Sequence, residues 1–125
     1  MKTAFMAVGA IAAARLATAT NLIIALKGAP AISQKVVQYT CDAAAGKIGV
    51  PGDAFSVEYI NGGGNSLVVV PILGNSVIFA NVLSGSGARY VAQQYTWWEA
   101  GGAVTLSSDS PAGKTDSTCR RVESK

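Results

Sequence analysis

The side chains best suited to recognition chemistry fall in one short stretch, Ser84-Gly85-Ser86-Gly87-Ala88-Arg89-Tyr90, followed by Tyr95-Thr96-Trp97-Trp98. Two serines offer hydroxyls that both donate and accept, and Arg89 offers a fixed fork of five donors. Gly85 and Gly87 allow backbone conformations closed to other residues, so the stretch reads as a tight, protruding loop. Such a loop can enter another molecule's cleft, but it lacks the groups to run a reaction. The plainer reading is that Gly-Ser runs are turns and strand aromatics are core.

Elsewhere the means for catalysis are missing. The chain has no histidine, which excludes Ser-His and Cys-His nucleophile systems and the common imidazole metal sites. The carboxylates Asp42, Asp53, Glu58, Glu99, Asp109, Asp116 and Glu123 are scattered, with no pair set by a motif. An acid/base hydrolase needs two carboxyls held across a cleft, and nothing in their spacing arranges that. Gly62-Gly63-Gly64 is not followed by Lys-Ser/Thr and a helix, so it is a hairpin rather than a phosphate loop. Neither a metal nor a cofactor is expected, and the chain does not read as an enzyme.

Two cysteines, Cys41 and Cys119, lie 78 positions apart without a Cys-x-x-Cys pattern. Two lone thiols cannot hold a structural zinc. A disulfide joining an early to a late strand suits an exported protein, and closing so long a loop contributes roughly 4–5 kcal/mol in the chain-entropy picture. Export is itself expected. Lys2 precedes an apolar run from Ala4 to Ala14, too short to span a bilayer, and Ala17-Thr18-Ala19 is a small-x-small cleavage site. Arg15 is the discordant residue, and an internal amphipathic helix is the alternative. With no cysteine near the cleavage site, a lipid anchor is not expected, and the destination is a soluble, oxidising compartment.

The elements that must hold the loop are strands. The chain of 125 residues is half hydrophobic and only 14% charged, enough for one domain with a real core. Lys2 and Arg15 apart, eight Lys plus Arg face seven Asp plus Glu, and no basic run supports a nucleic-acid partner. Strands are predicted over Lys35–Cys41, Ala54–Ile60, Ser66–Leu73, Ser76–Leu83, Ala88–Gln93, Tyr95–Glu99, Ala103–Ser107 and Thr115–Arg121. Asp42–Asp53 and Ser108–Lys114 are turn and loop material, and no helix is expected after the leader. Pro71 marks an edge or a bulge. Asn21–Ile32 carries a second apolar patch that reads equally as a strand, an ordered arm or a loose lead. The expected organisation is a leader over 1–19, a lead segment over 20–33 and one domain over 34–125. Its fold class is all-β, a small antiparallel β-barrel of about eight strands with one disulfide, because closure removes exposed edges. A homodimer through strand edges stays open.

Of Trp97 and Trp98, strand alternation sends one into the core and the other outward. The outward ring can stack on sugar, contact a protein or cover the barrel.

Four features together, Tyr39-Thr40-Cys41, Ser86-Gly87-Ala88-Arg89-Tyr90, Tyr95-x-Trp97-Trp98-x-x-Gly101 and Cys119, resemble the C-type lysozyme inhibitor family of bacterial envelope proteins. The likeness covers about residues 36–121 and points to the family's periplasmic branch. It implies an eight-stranded barrel held by a disulfide, with C-type lysozyme as partner and a loop entering that enzyme's cleft. By this resemblance Ser86 bonds toward the catalytic carboxylates, Gly87 permits close approach and Tyr90 buttresses the loop. Arg89 and Trp98 are added as candidate contacts, although Arg89 could instead pair with Glu99 or cover the barrel side. The sequence departs from the family at Ala100, where a lysine usually precedes the glycine. The alternative function is a periplasmic carbohydrate- or peptidoglycan-binding module using the outward tryptophan.

Overall fold

The computed structural model describes residues 19–123. The leader expected over Met1 to Ala19 lies outside the described residues except for Ala19. Eight antiparallel strands follow one another around a closed barrel: β1 (Ser33–Cys41), β2 (Phe55–Gly62), β3 (Asn65–Ile72), β4 (Asn75–Val82), β5 (Ala88–Ala92), β6 (Tyr95–Ala100), β7 (Ala103–Ser110) and β8 (Gly113–Arg121). The all-β barrel read from the sequence is the fold observed.

Its interior is built by period-two alternation. Phe55 and Val57 on β2, Val68, Val70 and Ile72 on β3, Trp97 on β6, and Val104 and Leu106 on β7 all point inward and are buried. Their neighbours Ser56, Trp98 and Thr105 face the other way, toward solvent or the barrel's outer surface. Pro71 opposes Ser76 of β4 but lies past Val69, where pairing with β2 ends. The strand there has a neighbour on one side only, which is where a residue without an N–H does least harm.

Closure rests on a short seam. β1 meets β8 at Tyr39 opposite Arg121, Thr40 opposite Arg120, and Cys41 opposite Cys119. The last pair is bonded as a disulfide. Asp42 locks the same corner. Its carboxylate accepts from the Ser117 hydroxyl at 2.7 Å and the Thr118 amide at 3.1 Å, while its own amide donates to the Thr118 carbonyl at 3.0 Å.

Two expectations need correction. Asp42–Asp53 is not all turn, because a single helical turn, α1 (Ala45–Ile48), sits within it. Ala45 and Ile48, three apart and both buried, plug this end of the barrel, and Gly49 at φ 111° ends the turn. One turn is too short to show a helical period, so composition reads it as loop. Ser108–Lys114 is likewise mostly strand: β7 runs to Ser110, β8 begins at Gly113, and only Pro111-Ala112 turn. Its serines and aspartate mimic a loop because that part of the ribbon is largely open to water. Residues 19–32 form no strand. Ala31 and Ile32 press on Gly62, where a Cβ would collide with them, whereas Leu22, Ile23 and Ile24 remain exposed.

Asp42 gives the fold a pH dependence. Hydrogen bonds from Ser117 and Thr118 hold its carboxyl below the ordinary 3.8. A depressed folded value means its stabilisation is present above the unfolded value and is lost as pH falls through the folded one. Thermal unfolding of wild type and Asp42→Asn from pH 7 to pH 2 should show wild type losing stability below about pH 4, with the variant less stable at pH 7 and flatter in acid. Parallel profiles would contradict this role.

Candidate functional site

The barrel's two ends differ. Antiparallel order puts the β2–β3 turn, the β4–β5 loop, the β6–β7 turn, the start of β1 and the end of β8 together at one end. The recognition stretch read from the sequence is the β4–β5 loop at that end, 83–87, together with β5 and β6.

Backbone packing holds the loop. Gly87 has φ +66°, and a Cβ there would fall onto the carbonyl oxygen of Glu99, with the Ala100 Cβ 3.0 Å away. Only glycine fits this left-handed position against another strand. Gly85, by contrast, has open space around it and needs no such conformation, so the loop depends on one of its two glycines. The Ser86 carbonyl then accepts twice, from the Ser84 hydroxyl at 2.5 Å and from the Trp98 indole nitrogen at 3.0 Å. These bonds fix the Ser86–Gly87 peptide. The Ser86 side chain is exposed and makes no side-chain hydrogen bond among the described residues, so its hydroxyl faces outward, unspent.

β6 presents Trp98 to this loop because Trp97 is completely buried. Register places Arg89 opposite Trp98, Ala88 opposite Glu99 and Tyr90 opposite Trp97. Tyr90 and Trp97 therefore share the inner face, and Arg89 and Trp98 the outer one. Glu99 turns inward with Trp97, so the pairing of Arg89 with Glu99 held open above does not occur: the two side chains leave opposite faces. Arg89 is exposed on the barrel side. Tyr90 is buried, its ring edge-on to Tyr59 with centroids 6.2 Å apart, and it supports β5 from beneath.

Inside, Glu99 terminates a chain of hydrogen bonds. The Tyr59 hydroxyl donates to the Glu99 carboxylate. Having one proton, Tyr59 must accept from its other partners, the Trp97 indole at 3.0 Å and the Tyr39 hydroxyl at 2.9 Å. Burial, and then the bond to Glu99, push the Tyr59 phenol far above its ordinary value, so it keeps its proton. Burial and the Glu99 charge also raise Tyr90. Tyr39 packs edge-on to Trp97 at 5.1 Å and 88°. Three strands, β1, β2 and β6, are thus tied beneath the loop by groups 20 to 40 positions apart. Tyr59 and Glu99 were not legible as a pair, since β2 and β6 are not neighbours and no spacing connects them.

The site is two convergent loops and a depression. Gly87 meets Ala100 at the β6–β7 turn, whose glycines 101 and 102 both have positive φ. A depression of about 640 Å³ opens beside them, lined in part by Tyr39, Gly87, Glu99, Ala100 and Arg121. Among the described residues no cluster of His, Cys, Asp or Glu could hold a metal ion, and no helix there is long and apolar enough to cross a membrane.

A family profile described as membrane-bound lysozyme-inhibitor of c-type lysozyme matches residues 39–114. The chain belongs to this family. One member, the membrane-bound lysozyme inhibitor of C-type lysozyme from Pseudomonas aeruginosa, is 41% identical over 92 residues, which are 73% of this chain and 66% of that protein's length. A solved member, Pseudomonas aeruginosa MliC in complex with hen egg white lysozyme, superposes with a TM-score of 0.64 at 36% identity, covering 85% of this chain and 100% of the other. The family is one of inhibitors and not of enzymes, in keeping with a site that holds hydroxyls and a carbonyl-braced loop but no nucleophile–base pair.

The bracing of Gly87 is testable without any partner. Gly87→Ala must place a Cβ against the Glu99 carbonyl and hold alanine at positive φ, a strain of about 1–3 kcal/mol. Thermal unfolding should show a lowered midpoint, and amide shifts should move from Ser84 through Ala88. Wild-type melting with unchanged shifts would mean the loop is not held this way.

Proposed function

We propose that this chain inhibits a C-type lysozyme by occluding the enzyme's substrate cleft with the Ser84–Gly87 loop. The observation that carries the reading is the Ser86 hydroxyl, presented outward on a peptide whose carbonyl is already held by Ser84 and Trp98. A lysozyme works with one protonated and one ionised carboxyl flanking the scissile bond. A hydroxyl inserted there hydrogen-bonds to both and leaves no room for sugar. Because the loop is ordered before binding, little conformational entropy is lost on insertion. Gly87 keeps the loop slim, Tyr90 supports it from inside, and Arg89 and Trp98 flank it on the outer face.

The solved relative, bound to hen egg white lysozyme, supports the choice of partner. Export supports it too. The leader over 1–19 and the Cys41–Cys119 disulfide fit a mature protein from Thr20 onward in the oxidising periplasm, where an invading lysozyme meets the cell wall. With a near-neutral mature charge, long-range steering contributes little and binding rests on local contacts.

Ala100 gives the reading its sharpest test. It faces Gly87 across the site, so a lysine there would set an ammonium group beside Ser86, close to the enzyme's carboxylates. Titrating the protein from Thr20 onward into an animal C-type lysozyme digesting bacterial walls should abolish lysis near one-to-one stoichiometry. Ser86→Ala should weaken inhibition and Ala100→Lys should strengthen it, each by roughly tenfold, the scale of a hydrogen bond to a charged group. A folded, disulfide-bonded sample without effect on lysis would overturn the function. Inhibition indifferent to Ser86 would overturn the loop mechanism.

A further inference from the structure

Leu83 is 95% exposed, more than any other large hydrophobic residue among those described. It follows the last residue of β4, Val82, and opens the β4–β5 loop just ahead of Ser84. A leucine held open to water beside a polar loop adds nothing to the fold, since its apolar surface is as wet as in the unfolded chain. Its neighbours make a surface with it. A groove of about 490 Å³ on the outer face is lined in part by Leu83, Ser84, Gly85, Arg89 and Trp98. The bond from its indole nitrogen to the Ser86 carbonyl ties Trp98 to the loop, and its ring stays 38% exposed. Arg89, on the same face, is exposed. A fixed tryptophan, an arginine and an aliphatic side chain around one hollow are the materials of a protein-binding hot spot.

We propose that this groove is a second lysozyme contact, with Leu83 as an apolar foot that docks on the lip of the enzyme's cleft as the loop enters it. The inference rests on the inhibitor reading and names a contact outside the loop motif. Ser84 and Gly85 belong both to the loop and to the groove wall, so a partner that admits the loop must lie against the groove. Ligand clefts are lined predominantly by apolar and aromatic side chains with a few placed polar groups, and such a wall, continued to its rim, would match leucine and tryptophan. A glycan strand is the weaker occupant, because sugar would stack on Trp98 but gain little from an isolated leucine.

The test compares wild type, Leu83→Ser, Leu83→Met and Leu73→Ser in the same lysozyme titration, with thermal unfolding of each. Leu73 is a control with 71% exposure, in the β3–β4 turn at the opposite barrel end. Leu83→Ser should raise the inhibition constant roughly tenfold to a hundredfold with unchanged melting, while Leu83→Met and Leu73→Ser inhibit like wild type. If Ser86→Ala weakens inhibition but Leu83→Ser does not, the groove contact is wrong and the loop mechanism stands. If wild type itself fails to inhibit, both fall. Binding of an N-acetylglucosamine oligomer that Leu83→Ser abolishes, with lysozyme inhibition intact, would overturn the proposal in favour of a glycan groove.

Discussion

Trp97 is where the core and the recognition end of this protein meet. The ring is fully buried, so its indole N–H needs an acceptor away from water. It finds the Tyr59 hydroxyl, which donates its own hydrogen bond to Glu99 and accepts from Tyr39. Once that chain is satisfied, the facing of β6 is settled. A strand with residue 97 inward must turn residue 98 outward, and the outward Trp98 ties down the loop through the Ser86 carbonyl. A slip of one position would send both rings to the wrong face.

The same constraint accounts for the loop's economy. Five residues between β4 and β5, four of them small and all little buried, would ordinarily be mobile. Here the ordering comes from backbone, through the Gly87–Glu99 approach and the two bonds to the Ser86 carbonyl. Of the loop's two serines only Ser84 spends its side chain on holding it, and the hydroxyl of Ser86 is left for a partner. Function and stability are thus separated within one short segment. The opposite barrel end is closed instead by α1, while the β1–β8 seam, where Tyr39 faces Arg121, reaches the depression at the recognition end.

Membership of a lysozyme-inhibitor family sharpens what is unusual in this chain. Position 100 carries a methyl group where the family resemblance implies a lysine, and the position faces Gly87 across the site. Beside the loop, Arg89 gives the outer face a positive charge that Glu99 does not neutralise, because the two leave opposite faces of the barrel; Asp109 and Lys114 line the same groove. Apolar contact gains weight when a charge is lost. Leu83 and Trp98 supply it beside the loop, to which Trp98 is already tied.

Much of this was legible in the chain itself. Alternation of Phe55, Val57 and Tyr59 against Ser56 and Glu58, turns at glycine pairs, and two cysteines on the first and last strands determine an all-β barrel, because period-two burial and edge closure leave few other solutions. The adjacency of Trp97 and Trp98 alone dictated one ring in and one out. Single-turn α1 and the polar β7–β8 ribbon escaped, the first for want of a period and the second because its residues face water in either conformation. Only the closed barrel could decide that Glu99 joins Tyr59 rather than Arg89, that Gly87 is demanded by a carbonyl from another strand, and that Leu83 stands uncovered beside the loop. Those are facts of facing and approach between segments far apart in sequence, and no local pattern encodes which side chains a closed sheet will bring together.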